Sequence, residues 1–409
     1  MALLDRFLRR FVTRGVLTVI HPDGTERQFG TADADVPSVT VRFADWRTER
    51  RILFDPDLGA GEGIMNGRMK VDGDDIGGLM RLLFANNRHE AAANVLVPSR
   101  AQRLARALSH RLGRINMERR SRRNVAHHYD LDDRLYDLFL DRDRQYSCAY
   151  FTDPANDLDQ AQDDKKAHIA AKLYLKPGMR VLDIGCGWGG MALYLHRHYG
   201  CEVLGVTLSE EQLAVARRRA QEAGVADKVR FELIDYRRVE GQFDRIVSVG
   251  MFEHVGPLHY RTFFAKCRSL LAEDGVMLVH TIGRLSPPGT TDSFTAKYIF
   301  PGGYIPALSE VVKAIEPLRF PLVDVEVLRL HYAYTLDHWY KRTVAARDEI
   351  VRLYDERFYR MWLFYLAGAA ANFRFGGLVN HQLLLTRDRH ALPITRDYML
   401  EEERRLREG

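Results

Sequence analysis

The residues with the clearest chemical potential lie in the stretch 179–190, MRVLDIGCGWGG. Val181, Leu182 and Ile184 predict a short buried strand, with Asp183 near its carboxyl end. Gly185, Gly187, Gly189 and Gly190 follow as a tight turn, and residues 191–199 resume a helical pattern. Strand, glycine turn and helix form the dinucleotide-type binding unit. Glycines serve there because side chains block close approach of a ligand, and because some positions need φ > 0. A lone G-x-G says little; here GCGWG follows VLD and precedes a second apolar run, VLGVT, at 203–207. The cysteines, Cys148, Cys186, Cys201 and Cys267, form no C-x-x-C pair and no metal-ligand spacing. That argues against a zinc or iron–sulfur site and for a reducing cytoplasm.

The elements that must hold this turn alternate. A helix over 158–175 ends at Pro177–Gly178. Strands follow at 203–207, 229–234, 243–249 and 276–281, with helices at 209–223 and 260–271 between them. Ser209 caps the first of these, with Gln212 in its first turn. The pattern predicts an α/β, doubly wound sheet. Ligands in such sheets sit at the carboxyl ends of the strands, where the strand order reverses. Site chemistry is therefore expected from 183–189, 207–212, 235–236, 250–256 and 280–283. The insert 284–306 is long and aromatic and reads as a substrate lid. Beyond it, HYAYTL at 331–336 and LVNHQLLLTR at 378–387 read as strands flanking helices at 336–372, and the tail LEEERRLREG reads as frayed.

Upstream, residues 2–14 place Leu3, Leu4, Phe7, Leu8 and Phe11 at helical spacing, flanked by Arg6, Arg9, Arg10 and Arg14. Such a helix either docks its apolar face on its own domain or lies on an anionic bilayer. GVLTVIHPDGTERQFG is a hairpin signal. SVTVRFADW and RRILFDPDLG continue the strand pattern, and 76–87 is a helix. The division expected is a smaller α+β domain over 1–98, a basic linker over 99–123 and a catalytic domain over 124–400. The linker carries nine arginines against one acid, Glu118. Such a block suits a polyanion, either an anionic membrane surface or nucleic acid. Over all 409 residues the charge is only +5, and 46% hydrophobic content is ordinary for a globular protein. No run approaches the ~20 apolar residues of a membrane span, and no signal-peptide pattern is expected at the N-terminus.

The glycine-rich unit resembles the S-adenosylmethionine (SAM) site of class I methyltransferases. The chain as a whole resembles bacterial cyclopropane-fatty-acyl-phospholipid synthases and the related mycolic acid cyclopropane synthases. The markers are HYD at 128–130, YSCAYF at 146–151, VLDIGCGWGG, TLSEEQ at 207–212, MFEHVG at 251–256, HTIG at 280–283, YIFPGG at 298–303 and HYAYTL. The N-terminal DPDLGAGEGIMNGRMKVDG at 55–73 looks like the extra domain of the phospholipid-acting branch. The resemblance implies a class I methyltransferase (Rossmann-like) sheet, and a cytoplasmic enzyme that works at the inner face of the membrane on unsaturated phospholipid acyl chains. A homodimer through the N-terminal domain is compatible with it.

The resemblance also implies site residues. Tyr146 and Ser147 meet the methionine end of SAM. Asp183, Gly185, Cys186, Gly187 and Gly189 line it, Thr207 and Gln212 stand near the ribose, and Asp235 and Tyr236 bracket adenine. In the resembled family a bound bicarbonate is the base, which maps here onto Glu253, His280, Tyr332 and the backbone of Cys148 and Ile282. No metal is implied. Each of these side chains alone also suits a cap, a core position or packing. The family often has a cysteine in the late helix; YLAGAAANFR at 365–374 has Ala369 there, so no thiol nucleophile is expected. A nucleic-acid methyltransferase is the main rival. DNA amino-methylases carry an N/D-P-P-Y/F turn after strand four, where this chain has GMFEHVG, and no Pro-Cys nucleophile is present. The expectation is accordingly no nucleic-acid partner. A second rival stops at a methyl-branched chain without ring closure.

Overall fold

A computed structural model describes residues 3–90 and 132–408. Among them two compact units are separable: 3–90 with 291–300 and 333–378, and 132–290 with 301–332 and 379–408. The boundary expected near residue 98 therefore divides the chain too simply, since two later segments fold with the N-terminal residues. The linker 99–123 lies outside the described residues, as does HYD at 128–130.

The first unit holds β1 (Gly15–Ile20), β2 (Glu26–Thr31), β3 (Ser38–Phe43) and β4 (Met69–Val71), in the order β2-β1-β3-β4. β1 and β2 form the expected hairpin, with Gly24 at φ 82° in its turn. Helix Leu3–Phe11 buries Leu4, Leu8 and Phe11 and exposes Arg6, Arg9 and Arg10. Its apolar face thus packs within its own unit. The stretch RRILFDPDLG corrects the sequence reading: it belongs to helices Trp46–Phe54 and Pro56–Met65. Asp45 accepts from the Thr48 N–H and Asp55 from the Leu58 N–H, and Pro56 supplies the first helical φ. Two side-chain caps and a preset proline outweigh the local strand preference. The insert read as a lid contributes helix Ser293–Tyr298 to this same unit. Ser293 donates to Asp55 (2.7 Å), and Lys297 and Tyr298 donate to Glu62 (2.7 and 2.9 Å).

HYAYTL also departs from expectation, opening helix His331–Ala345. Tyr332, Ala333, Leu336 and Trp339 are all buried, and their spacing is that of one helix face.

The second unit is built on β5 (Arg180–Ile184), β6 (Glu202–Thr207), β7 (Val229–Leu233), β8 (Phe243–Val249), β9 (Leu271–Arg284), β10 (Leu322–Leu328) and β11 (Leu378–Thr386). Their order is β10-β11-β9-β8-β5-β6-β7. β5 to β9 pair in parallel, and β10 runs antiparallel to β11. The chain winds outward from β5 in one direction and then returns to β8 on its other side. The order therefore reverses at β5. Alternate residues feed two separate apolar clusters: Leu278 and Leu384 belong to one, Met277, Val279, Leu383 and Leu385 to the other. Period-two alternation of apolar residues on both faces is what a sheet covered on both sides requires. Arg245, 2% exposed, donates to the carbonyls of Leu173 and Tyr174 (2.6 and 3.0 Å) and so caps helix Leu158–Lys172. A buried cation at a helix carboxyl end is favourable. The tail is a helix, Asp397–Glu408, with Glu403 and Leu406 buried. Among the described residues no helix is long and apolar enough to cross a membrane.

Candidate active site

The glycine turn sits at the order reversal. The Gly185 and Cys186 amides donate to the Val206 carbonyl (2.9 and 3.1 Å), which fixes the turn against β6. Gly185, Gly187 and Gly189 have φ of 82°, 54° and 85°, a region L side chains avoid. Their surroundings differ. A Cβ on Gly185 would lie 2.8 Å from Met251, and one on Gly189 2.7 Å from the Phe231 ring. A Cβ on Gly187 would meet nothing within 4 Å. Gly187 therefore offers bare backbone to a cavity.

That cavity is lined by Tyr146, Ser147, Asp183, Gly185, Cys186, Gly187, Thr207, Gln212, Asp235 and Tyr236, with Trp188, Met251, His254 and His259 beside them. Of the expected cofactor positions only Gly189 stands outside; it serves instead as the left-handed residue that starts helix Gly190–Tyr199. Thr207 donates to the side-chain oxygen of Gln212 (3.0 Å), and the Gln212 backbone N–H donates to the Ser209 hydroxyl (3.2 Å). Asp235 accepts from two nitrogens of Arg237 (2.8 and 2.6 Å). Tyr236 presents an edge to Phe263, with centroids 5.2 Å apart. Asp183 has one oxygen buried without a hydrogen-bond partner. Burial raises its carboxyl to about 7, against the pull of the Lys165 ammonium. Lys165, which sequence reasoning passed over, is fully buried and donates to Gln145 (2.7 Å) and Ser147 (2.8 Å). Burial lowers its ammonium to about 8.

A second cluster adjoins the first through the turn Phe252–His254, which follows cavity-lining Met251. Glu253 accepts from the Ile282 N–H at 2.6 Å, while its other carboxyl oxygen is buried without a partner. Burial raises this carboxyl above the ordinary range. His280, 1% exposed on β9, lies 3.1 Å from Gln382 through Nδ1 and 3.2 Å from Asn380 through Nε2. Burial holds its imidazole well below the usual value, so it is neutral. Tyr332 and Cys148 are buried. The structure thus joins Glu253 and Ile282 directly, and the hydrogen bonds of His280 run to β11. Asn380 and Gln382 had a sequence signal: polar residues inside the apolar strand pattern LVNHQLLL.

The strand order, the glycine turn at its reversal and the cavity over the strand carboxyl ends define a class I methyltransferase fold. The family model described as mycolic acid cyclopropane synthetase matches residues 116–383, and the chain belongs to that family. The chain is 39% identical over 358 residues to the cyclopropane-fatty-acyl-phospholipid synthase of Escherichia coli, covering 88% of this chain and 89% of the relative. It is 42% identical over 287 residues to a probable fatty acid methyltransferase of Pseudomonas putida, covering 67% and 73%. Among solved structures, mycolic acid cyclopropane synthase CmaA1 complexed with S-adenosylhomocysteine (SAH) and CTAB aligns with TM-score 0.62 and 36% identity, covering 65% of this chain and 98% of that one. This protein is therefore a methyltransferase of the cyclopropane synthase family.

Proposed function

We propose that this chain is a cyclopropane-fatty-acyl-phospholipid synthase that transfers a methylene from SAM to the double bond of an unsaturated phospholipid acyl chain. SAM brings a sulfonium and an amino group. The buried, unpartnered oxygen of Asp183 and the bare backbone at Gly187 suit such a cationic ligand. The alkene has no proton to lose beforehand. Its π electrons take the methyl from sulfur, leaving a carbocation on the neighbouring carbon. Loss of a proton from the added carbon then closes the three-membered ring.

The observation that carries ring closure is Glu253. Burial favours its protonated form, which has one hydrogen to give and one oxygen without a partner among the described residues. A buried carboxylic acid just after β8 and a neutral histidine on neighbouring β9 suit a small anion such as bicarbonate. Glu253, His280, Tyr332 and the Cys148 backbone are the groups that would hold it. The Ile282 amide, already given to Glu253, acts by fixing that carboxyl. Bicarbonate, when bound, supplies the base for the proton that leaves the added carbon. The basic block 99–123 attaches the enzyme to the anionic inner face of the membrane, each arginine adding about 1 kcal/mol near the surface. Glu253→Gln tests the site. It should cut turnover by about a hundredfold, as expected for loss of a positioned acid or base, while calorimetry still registers SAM. Full activity in that variant removes Glu253 from the mechanism.

A further inference from the structure

One face of the sheet carries a row of buried polar groups that the apolar packing around them does not require. His280 on β9, Gln382 on β11 and Glu326 on β10 lie across three neighbouring strands. Glu326 is directly opposite Gln382 in the register. Helix Leu158–Lys172 places Lys172 and His168 over the row. Lys172 donates to Glu326 and, at 2.7 Å, to the side-chain carbonyl of Gln382. His168 spans Glu326 (2.7 Å) and Glu403 (3.2 Å). The Gln382 amide nitrogen reaches His280 Nδ1 at 3.1 Å.

The direction of this chain follows from donor chemistry. An ammonium has three donors and no acceptor, so Lys172 can face only the oxygen of the Gln382 amide. That orientation points the amide N–H at His280 Nδ1, which must accept. A neutral imidazole with Nδ1 accepting carries its proton on Nε2. Rotating Gln382 would set an N–H against the ammonium and bury an unpaired donor, at a cost of about 1–3 kcal/mol. Glu326, between Lys172 and His168, anchors the ammonium.

We propose that Lys172 and Gln382 are positioning residues that fix His280 as its Nε2–H tautomer, so that His280 serves the reaction as a neutral hydrogen-bond donor. This rests on the reading of His280 as a site residue. With Nδ1 taken, Nε2–H is the ring's one donor toward an anion. Nε2 faces the Asn380 amide nitrogen at 3.2 Å, and two donors cannot meet there. The tautomer therefore requires the Asn380 amide to turn and offer Nε2–H its oxygen, otherwise buried without a donor, until an anion takes that hydrogen.

The test is the ring nitrogen spectrum of the full chain labelled with 15N-histidine, with the His280 signals identified by their loss in His280→Gln. The wild-type protein should show Nε2 protonated and Nδ1 bare. Gln382→Glu replaces the donor at Nδ1 by an acceptor, and should move the proton to Nδ1 and lower kcat by about 10- to 100-fold, the usual range for loss of such outer support. Lys172→Met frees the amide to turn and should give a mixture of the two tautomers. A wild-type spectrum with Nδ1 protonated overturns the proposal without any variant having to fold. So does a Gln382→Glu spectrum identical to wild type. If the proton moves and kcat is unchanged, the relay stands and the placing of His280 in the reaction falls.

Discussion

Two glycines two residues apart should respond to the same substitution in opposite ways. Gly187→Ala adds a methyl with no atom within 4 Å, so its stability cost is the backbone alone, at φ 54°. A left-handed conformation costs an L residue about 1–2 kcal/mol. The methyl does project into the cavity, where SAM must lie against backbone. An affinity loss of about a hundredfold, or about 2.7 kcal/mol, is expected. Gly189→Ala has φ 85° and a Cβ 2.7 Å from the Phe231 ring and 3.1 Å from Ala216. Overpacking adds about 1–3 kcal/mol to the backbone cost, for a total of about 2–5 kcal/mol. That is a large part of the ~5–15 kcal/mol a domain has. Urea titration followed by tryptophan fluorescence measures the first quantity, and calorimetry with SAM the second. Gly187→Ala should bind poorly and lose only the backbone cost of about 1–2 kcal/mol; Gly189→Ala should unfold earlier still. Wild-type SAM affinity in Gly187→Ala would mean the ligand does not lie over this turn. Wild-type stability in Gly189→Ala would refute the packing account.

Two further expectations follow from charge. Asp183 is fully buried, with a carboxyl raised to about 7. A carboxyl raised on folding binds more protons in the folded state between about pH 4 and 7, so its contribution to stability is full at low pH and lost as pH rises through 7. Asp183→Asn removes that loss: urea titrations should find it stabilised relative to wild type at pH 8 and not at pH 4, with SAM binding weakened. The nine arginines of 99–123 bear on the membrane: neutralising several should weaken sedimentation with anionic vesicles at low salt, and unchanged binding at low and moderate salt would remove them from the account.

The glycine unit and the strand series were legible because each is a local pattern: a buried run, a turn only glycine can make, a serine cap at Ser209. RRILFDPDLG looks strand-like because of the apolar run Ile52-Leu53-Phe54, and the capping aspartates and Pro56 in the same stretch are the signals that decide for helices. The tail looks frayed for a different reason. Glu403 is buried because it meets His168, 235 positions away. Helix Leu158–Lys172 shows the same limit: Gln162, Asp164, Lys165, Lys166, His168 and Lys172 are all buried, yet its sequence reads as a solvated surface. Charges can be buried there only because partners arrive from elsewhere in the chain. The cavity residues are legible by motif; Asn380 and Gln382 stand out as polar residues in an apolar strand without showing what they meet, and Lys165 depends on contacts that no local pattern contains.

Lipid mass spectrometry decides whether a methylene is added and the ring closed. Incubation of the protein with SAM and monounsaturated phospholipid vesicles should yield acyl chains heavier by one methylene, with the double bond gone and a three-membered ring in its place. A one-carbon gain that retains a double bond or ends in a methyl branch would contradict ring closure and move the base away from Glu253. Unchanged acyl chains with SAM still bound would contradict the phospholipid substrate itself.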